Sequence, residues 1–209
     1  MMDVRLALYS LAGLVAGFIA HEYAQARATQ VFGDFSPRRA GRVTANPLAH
    51  ADPLGTYILP GLLLLLIAAG KPFTPPFAYG KPMPVELMRR RDYCLALLAG
   101  PASNLGLAVL SALSLRVFPR GEAGLLAGRF LVTNVMLCVF NLMPLPPLDG
   151  SKMLARFLSP KARHVMNEMQ PYGGLFMIAV FFLLSAPVMF VVDGLGNGLC
   201  NVLVGVPCL

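Results

Sequence analysis

Long uncharged runs constrain this chain more than any other feature. Apolar stretches occupy about residues 5–26, 55–70, 94–118, 124–143 and 172–192. A helix needs about 20 mainly apolar residues to cross the roughly 30 Å hydrocarbon core of a bilayer, and four of the stretches meet that length. The stretch 55–70 is shorter and carries Pro60. It would rise only about 24 Å as a helix, so it is either a tilted span or a re-entrant segment packed against protein. Only 13% of residues are charged and mean hydropathy is +0.66, whereas a soluble domain is about a quarter charged. The expected fold class is an all-α integral membrane protein of four to five hydrophobic segments. Residues 1–192 form one membrane-embedded core, and the Gly-rich residues 193–209 read as an interfacial tail.

Arg5 ahead of the first apolar run, with Ala24-Gln25-Ala26 behind it, has the outline of a cleaved signal peptide. A His-Glu pair just before the cut would be unusual, and the run favours a first membrane helix. Between the first two stretches, the alternation around Arg42-Val43-Thr44 predicts a small membrane-associated β-hairpin, with turns at Asn46-Pro47, Asp52-Pro53 and Gly55. A second irregular region ends in Arg89-Arg90-Arg91, which reads as a headgroup anchor. The net charge of +7 does not imply nucleic acid, because Lys and Arg fall in short clusters between apolar runs, where loops meet anionic headgroups. If all five stretches span, these charges divide ten against seven, too evenly to orient the chain. Cys94 and Cys138 lie in apolar segments and read as small hydrophobes. A Cys200–Cys208 disulfide depends on which compartment the C-terminus faces.

The chemistry-bearing residues are few. "FIAHEYAQAR", residues 18–27, sets His21 and Glu22 at the end of an apolar helix. Ionisable groups at bilayer depth are costly and usually functional. A His-Glu-x-x-His helix places two zinc ligands on one face with the Glu as general base, because i and i+4 align. Here the fifth position is Gln25, whose amide oxygen is a weaker ligand than imidazole. Read alone, the pair also suits a polar contact with a neighbouring helix. "FNLMPLPPLDG", residues 140–150, holds Asn141, three prolines and Asp149 at the end of another segment. Prolines break the helix there, which a membrane tolerates only where protein or a water-lined cavity satisfies the freed backbone. Asp149 then suits either a metal or the N-cap of the next helix. His164, in "SPKARHVMNE", reads as an interfacial surface residue.

Together these motifs resemble the site-2 protease family of intramembrane zinc metalloproteases. "FIAHEYAQA" is similar to the family's His-Glu-x-x-His helix, and "GRVTANPLAHADPLGT" to the stretch after it in the compact prokaryotic branch. "AGPASN" is similar to its small-residue membrane motif, "YGKPMPV" to another segment, and "NLMPLPPLDG" to its Asn-x-x-Pro…Leu-Asp-Gly signature. The resemblance implies a zinc cofactor held by His21 and Asp149, with Glu22 as general base. It implies that Asn141 positions the substrate backbone or polarised carbonyl, and that Asn104 helps to bind substrate. It also implies a multi-pass protein of a prokaryotic cell membrane acting on transmembrane protein substrates, without an inserted peptide-binding domain.

Gln25 departs from the pattern and leaves three alternatives. Gln25 ligates through its amide oxygen, His50 folds back as the third ligand, or the metal is lost and the chain binds membrane helices without cutting them. A further alternative is a small ion transporter using His21, Glu22 and Asp149 as a path. Depth matters too: if 55–70 crosses the membrane, the first helix and 124–143 run in opposite directions and their polar residues meet only near mid-depth. A re-entrant 55–70 makes them parallel and brings His21 easily to Asp149.

Overall fold

A computed structural model describes residues 4–58, 61, 80–81, 83–85 and 88–208. The helices are α1 (Val4–Val31), α2 (Ser36–Arg39), α3 (Pro47–His50), α4 (Arg90–Val117), α5 (Gly121–Asn141), α6 (Asp149–Ala155), α7 (Pro160–Met169) and α8 (Gly173–Val204). A π-helical turn, Pro53–Ile58, follows α3, and a 3₁₀ turn, Gln170–Tyr172, precedes α8. Among the described residues, four helices are long and apolar enough to cross a membrane: α1, α4, α5 and the part of α8 over Ala186–Val204. Apart from its first four residues and Gly61, the stretch 55–70 lies outside the described residues.

The bundle is organised by one stripe on α1. Gly13, Leu14, Gly17, Phe18, His21, Glu22, Gln25, Ala26 and Thr29 are buried, two adjacent residues every turn, while Leu11, Val15 and Tyr23 on the other side are exposed. A stripe of that period faces protein, and the remaining apolar surface faces lipid. The stripe packs on α5 through a Gly13-x-x-x-Gly17 pair. A Cβ on Gly17 would lie 2.5 Å from Asn134 Oδ1 and 2.6 Å from Leu137 Cδ1. In lipid, such small residues let backbones approach and gain dispersion contacts that solvent cannot drive. α4 contributes a similar face of small residues, Ala96, Gly100, Asn104, Ala108 and Ala112. α5 is the central helix, buried continuously from Asn134 to Asn141.

Contacts along the helices define their directions. Arg5 meets Glu122 at 2.9 Å, and Gly17 meets Asn134, so α1 and α5 run parallel. His21 meets Asn104 while Gln25 meets Leu97, so α4 runs against α1. Cys200 packs with Ala108, Ala112, Leu131 and Val135, whereas Met177 and Val180 pack with Met136, Phe140 and Met143, so α8 runs against α5. α1 therefore ends and α4 begins at the same end of the bundle. This is the arrangement that brings His21 and Asp149 together.

Two expectations need correction. Among the described residues no strand forms around Arg42-Val43-Thr44, and the hairpin is reduced to a single antiparallel bridge, Ala51–Gly80. The cause is Arg42, whose side chain is buried rather than displayed on a strand, while prolines at the first turns of α2 and α3 start short helices instead. Residues from Asp193 on are no separate interfacial tail, since α8 continues without a break to Val204. Its glycines cost helix propensity, but the Cys200 face docks on the small residues of α4 and holds the helix in register. Gly205, at φ +81°, then turns the chain back, and a disulfide joins Cys208 to Cys200 with Cα atoms 5.8 Å apart.

Candidate metal centre

The site is built where α1, α4 and α6 meet. His21 lies ten residues before the end of α1 at Val31, about 15 Å along the helix axis. His21 Nε2 is 2.8 Å from Asp149 Oδ2, and the Gln25 amide nitrogen is 3.0 Å from the former and 2.5 Å from the latter. All three side chains are buried.

The tautomer of His21 follows from a chain of fixed acceptors. The carbonyl of Phe130 accepts from Asn134 Nδ2 at 2.9 Å, which turns Asn134 Oδ1 towards α4. Asn104 Nδ2 donates to that oxygen at 3.1 Å and to the carbonyl of Gly17 at 2.9 Å. Asn104 Oδ1 must then accept, and it does so from His21 Nδ1–H at 2.8 Å. A neutral imidazole protonated on Nδ1 carries its lone pair on Nε2. Nε2 and the Asp149 carboxylate then face each other at 2.8 Å with the Gln25 amide N–H beside both, an arrangement that suits a proton or a metal ion between them.

The donor chemistry fits a zinc ion with one weak ligand. Imidazole nitrogen and carboxylate oxygen are ordinary zinc ligands, and catalytic zinc takes three protein ligands with an open position. Gln25 stands in the third place, one helical turn from His21. As oriented, its amide nitrogen also donates to the carbonyl of Leu97 at 3.1 Å, so ligation requires the amide to rotate and present its oxygen. Among the described residues no group of three or more His, Cys, Asp or Glu converges on one point, which makes Gln25 decisive.

Asp149 sits in the first turn of α6, where a negative charge is favoured by the helix dipole. Its Oδ1 receives Lys152 Nζ at 3.0 Å. Burial pushes the Asp149 carboxyl up, but the Lys152 charge and the His21 hydrogen bond outweigh it and hold the group well below the usual carboxylate range. Burial likewise pulls Lys152 down, and Asp149 more than compensates, so the ammonium lies above its ordinary value.

Glu22 belongs to a second cluster beside the first. Arg42 Nη2 is 3.4 Å and His50 Nδ1 3.6 Å from Glu22 Oε2. Arg42 also donates to the carbonyls of Ala49 at 2.5 Å and Lys81 at 2.6 Å. Gly80 lies so close that a Cβ there would be 2.5 Å from Glu22 Oε1. Arg42 thus staples two loops over the Glu22 carboxylate, and burial lowers its pKa while Glu22 opposes that shift.

The expected site residues divide accordingly. His21, Gln25 and Asp149 come together, with Glu22 next to them. His50 does not join them: it is fully buried, with Nε2 donating to the carbonyl of Thr44 at 2.9 Å and its ring edge-on to Phe18. Asn104 is fully buried with both ends of its amide engaged. Asn141 Nδ2 bonds to the carbonyl of Leu137 at 2.9 Å, on its own helix. Sequence reasoning missed Asn134, Arg42, Lys152 and Gly100. Gly100 had a signal in "AGPASN", since any Cβ there would overlap the His21 ring.

The chain is similar to several proteins named as zinc metalloproteases. The chain is 31% identical over 190 residues to the Bacillus subtilis protein named "Putative zinc metalloprotease YwhC", covering 83% of this chain and 80% of that one. It is 32% identical over 178 residues to "Putative zinc metalloprotease Rip2" of Mycolicibacterium smegmatis, covering 84% of this chain and 66% of the relative. A Methanocaldococcus jannaschii protein, "Putative zinc metalloprotease MJ0611", is 28% identical over 151 residues, covering 70% of this chain and 69% of its own length. No protein-family model and no solved structure matches. The fold defines a multi-pass helical membrane protein. By its likeness to YwhC, the chain belongs to that family of proteins named zinc metalloproteases.

Proposed function

We propose that this chain is an intramembrane zinc metalloprotease of the site-2 type, hydrolysing peptide bonds within transmembrane segments of other proteins. The observation that carries the reading is the His21 Nε2 lone pair facing the Asp149 carboxylate at 2.8 Å, with Gln25 alongside and Glu22 adjacent in sequence. His21 and Asp149 would hold the ion, with Gln25 as a third, neutral ligand. When bound, zinc supplies a Lewis acid for the scissile carbonyl and acidifies a water towards neutral pH. Glu22 would serve as the general base and carry a proton to the leaving nitrogen. Asn104, itself held by Asn134, keeps Nε2 of His21 turned towards the ion, and Lys152 keeps Asp149 ionised. A cavity of about 230 Å³ adjoins the site, lined by Met83, Tyr93, Leu97 and Lys152 among others. It offers a path for water to a centre otherwise buried in the bundle. A substrate helix must unwind locally, because an intact helix uses its carbonyls internally.

One observation favours a second reading, a relative that binds membrane helices without cleaving them. The Gln25 amide nitrogen already donates to Leu97 and Asp149, which satisfies the site without the amide oxygen. Zinc content of the detergent-purified chain, with cleavage of a transmembrane reporter, separates the two. The protease reading expects near-stoichiometric zinc, lost in His21→Ala and Asp149→Ala, and cleavage abolished in Glu22→Gln with zinc retained. No zinc after purification without chelator and reloading would overturn it in favour of the second reading.

A further inference from the structure

A second site lies at the opposite end of the bundle, where α4 ends and α5 begins. A cavity of about 570 Å³ opens there between α1, α4, α5 and the end of α8, a size that accommodates a small ligand, for which about 300–1,000 Å³ is usual. Its walls are mostly aliphatic, including Leu6, Leu115, Leu131 and Val204, and two arginines, Arg116 and Arg129, line it. Arg129 is half-buried inside a membrane-spanning helix, eight residues past its start at Gly121, or about 12 Å along the axis. Cations at that depth are costly and pair with a counter-charge. Among the described residues neither guanidinium has one. The single acidic residue between Tyr93 and Leu148 is Glu122, and it is already taken by Arg5 at 2.9 Å and Tyr9 at 2.7 Å.

We propose that this cavity binds an anionic phospholipid, with its phosphate between Arg116 and Arg129 and an acyl chain along the aliphatic wall. Three features point to that ligand. Among the described residues the two charges are unpaired, the walls are apolar, and the cavity runs from the end of α4 about 12 Å down α5 to Arg129, a span that suits a headgroup with its acyl chain. Guanidinium groups bind phosphate oxygens through charge-assisted hydrogen bonds, and the aliphatic wall beside them matches an acyl chain. The fold-back after Gly205 supplies part of the wall through Val206 and Cys208, so the disulfided C-terminal turn borders the site.

The test uses the full chain, delipidated in neutral detergent. Lipid binding is measured by native mass spectrometry with phosphatidylglycerol and phosphatidylcholine of identical acyl chains, and thermal protection is followed with the same lipids and with inorganic phosphate. Wild type is expected to retain phosphatidylglycerol selectively and to gain thermal protection from it alone. Arg116→Gln and Arg129→Gln should each weaken phosphatidylglycerol binding about fivefold, and Arg129→Lys should restore most of it. Arg120→Gln, an exposed residue outside the cavity, should leave binding unchanged. Equal binding of the two lipids by wild type would overturn the proposal. So would selectivity that survives the double Arg116→Gln/Arg129→Gln variant, or equal protection by inorganic phosphate. The wild-type comparison decides the matter even if that double variant fails to fold.

Discussion

Gln25 is the residue on which the chemistry turns, and its position makes a directional prediction. It occupies the i+4 place relative to His21, 3.0 Å from Nε2, so an imidazole there projects into the same space. Gln25→His should hold zinc through dialysis against a chelator at least about tenfold more tightly than wild type, since it replaces a neutral oxygen with a strong ligand. Elemental analysis along the dialysis series checks this. Unchanged retention would mean that position 25 does not contact the metal. Asn104 predicts the opposite effect: Asn104→Ala releases His21 Nδ1 and the tautomer, and zinc affinity should fall about 10–100-fold. Both residues stood out in the sequence, but only Gln25 with its chemistry attached. A motif read along one helix shows ligands at i and i+4, whereas the Phe130–Asn134–Asn104–His21 relay is made by helix packing. Asn134 in an apolar run gives no sign of it.

At the scale of elements, the site depends on how closely helices approach and on what covers them. α4 reaches α1 because Gly100 has no side chain, and a Cβ there would overlap the His21 ring. Gly100→Ala should therefore displace His21 and abolish zinc retention while leaving helical content by circular dichroism unchanged. Arg42 acts on the loops. It ties α3 and residues 80–81 together over Glu22 by donating to Ala49, Lys81 and Glu22. Arg42→Ala leaves those acceptors without a donor, and thermal unfolding should show a loss of about 1–3 kcal/mol. Arg42→Lys should not rescue it, because one ammonium cannot replace a rigid fork spanning several acceptors. Full recovery by lysine would reduce the latch to a simple charge. The spanning helices were legible because hydropathy and length are local properties. The hairpin expected around Arg42 was not, because the alternation that suggests a strand includes a residue the fold buries as a latch.

For the whole molecule, helix direction converts an undecided charge count into an orientation. Five spanning stretches divide the basic residues almost evenly. The observed bundle returns α4 to the end where α1 finished, and this regroups the basic residues. Among the described residues, Arg27, Arg38, Arg39, Arg42, Lys81, Arg89, Arg90, Arg91, Lys152, Arg156, Lys161 and Arg163 lie towards the metal-centre end. Only Arg5, Arg116, Arg120 and Arg129 lie towards the other. Cytoplasmic loops carry the excess of Lys and Arg, so the metal centre should open towards the cytoplasm. This orientation puts Cys200 and Cys208, at the basic-poor end, on the side of the membrane where disulfides persist. In a chain otherwise free of cysteine, Arg120→Cys should react with an impermeant maleimide in intact cells, and Lys161→Cys only after permeabilisation. The reverse labelling pattern would invert the molecule, place Cys200 and Cys208 on the reducing side, and require that pair to be found as free thiols.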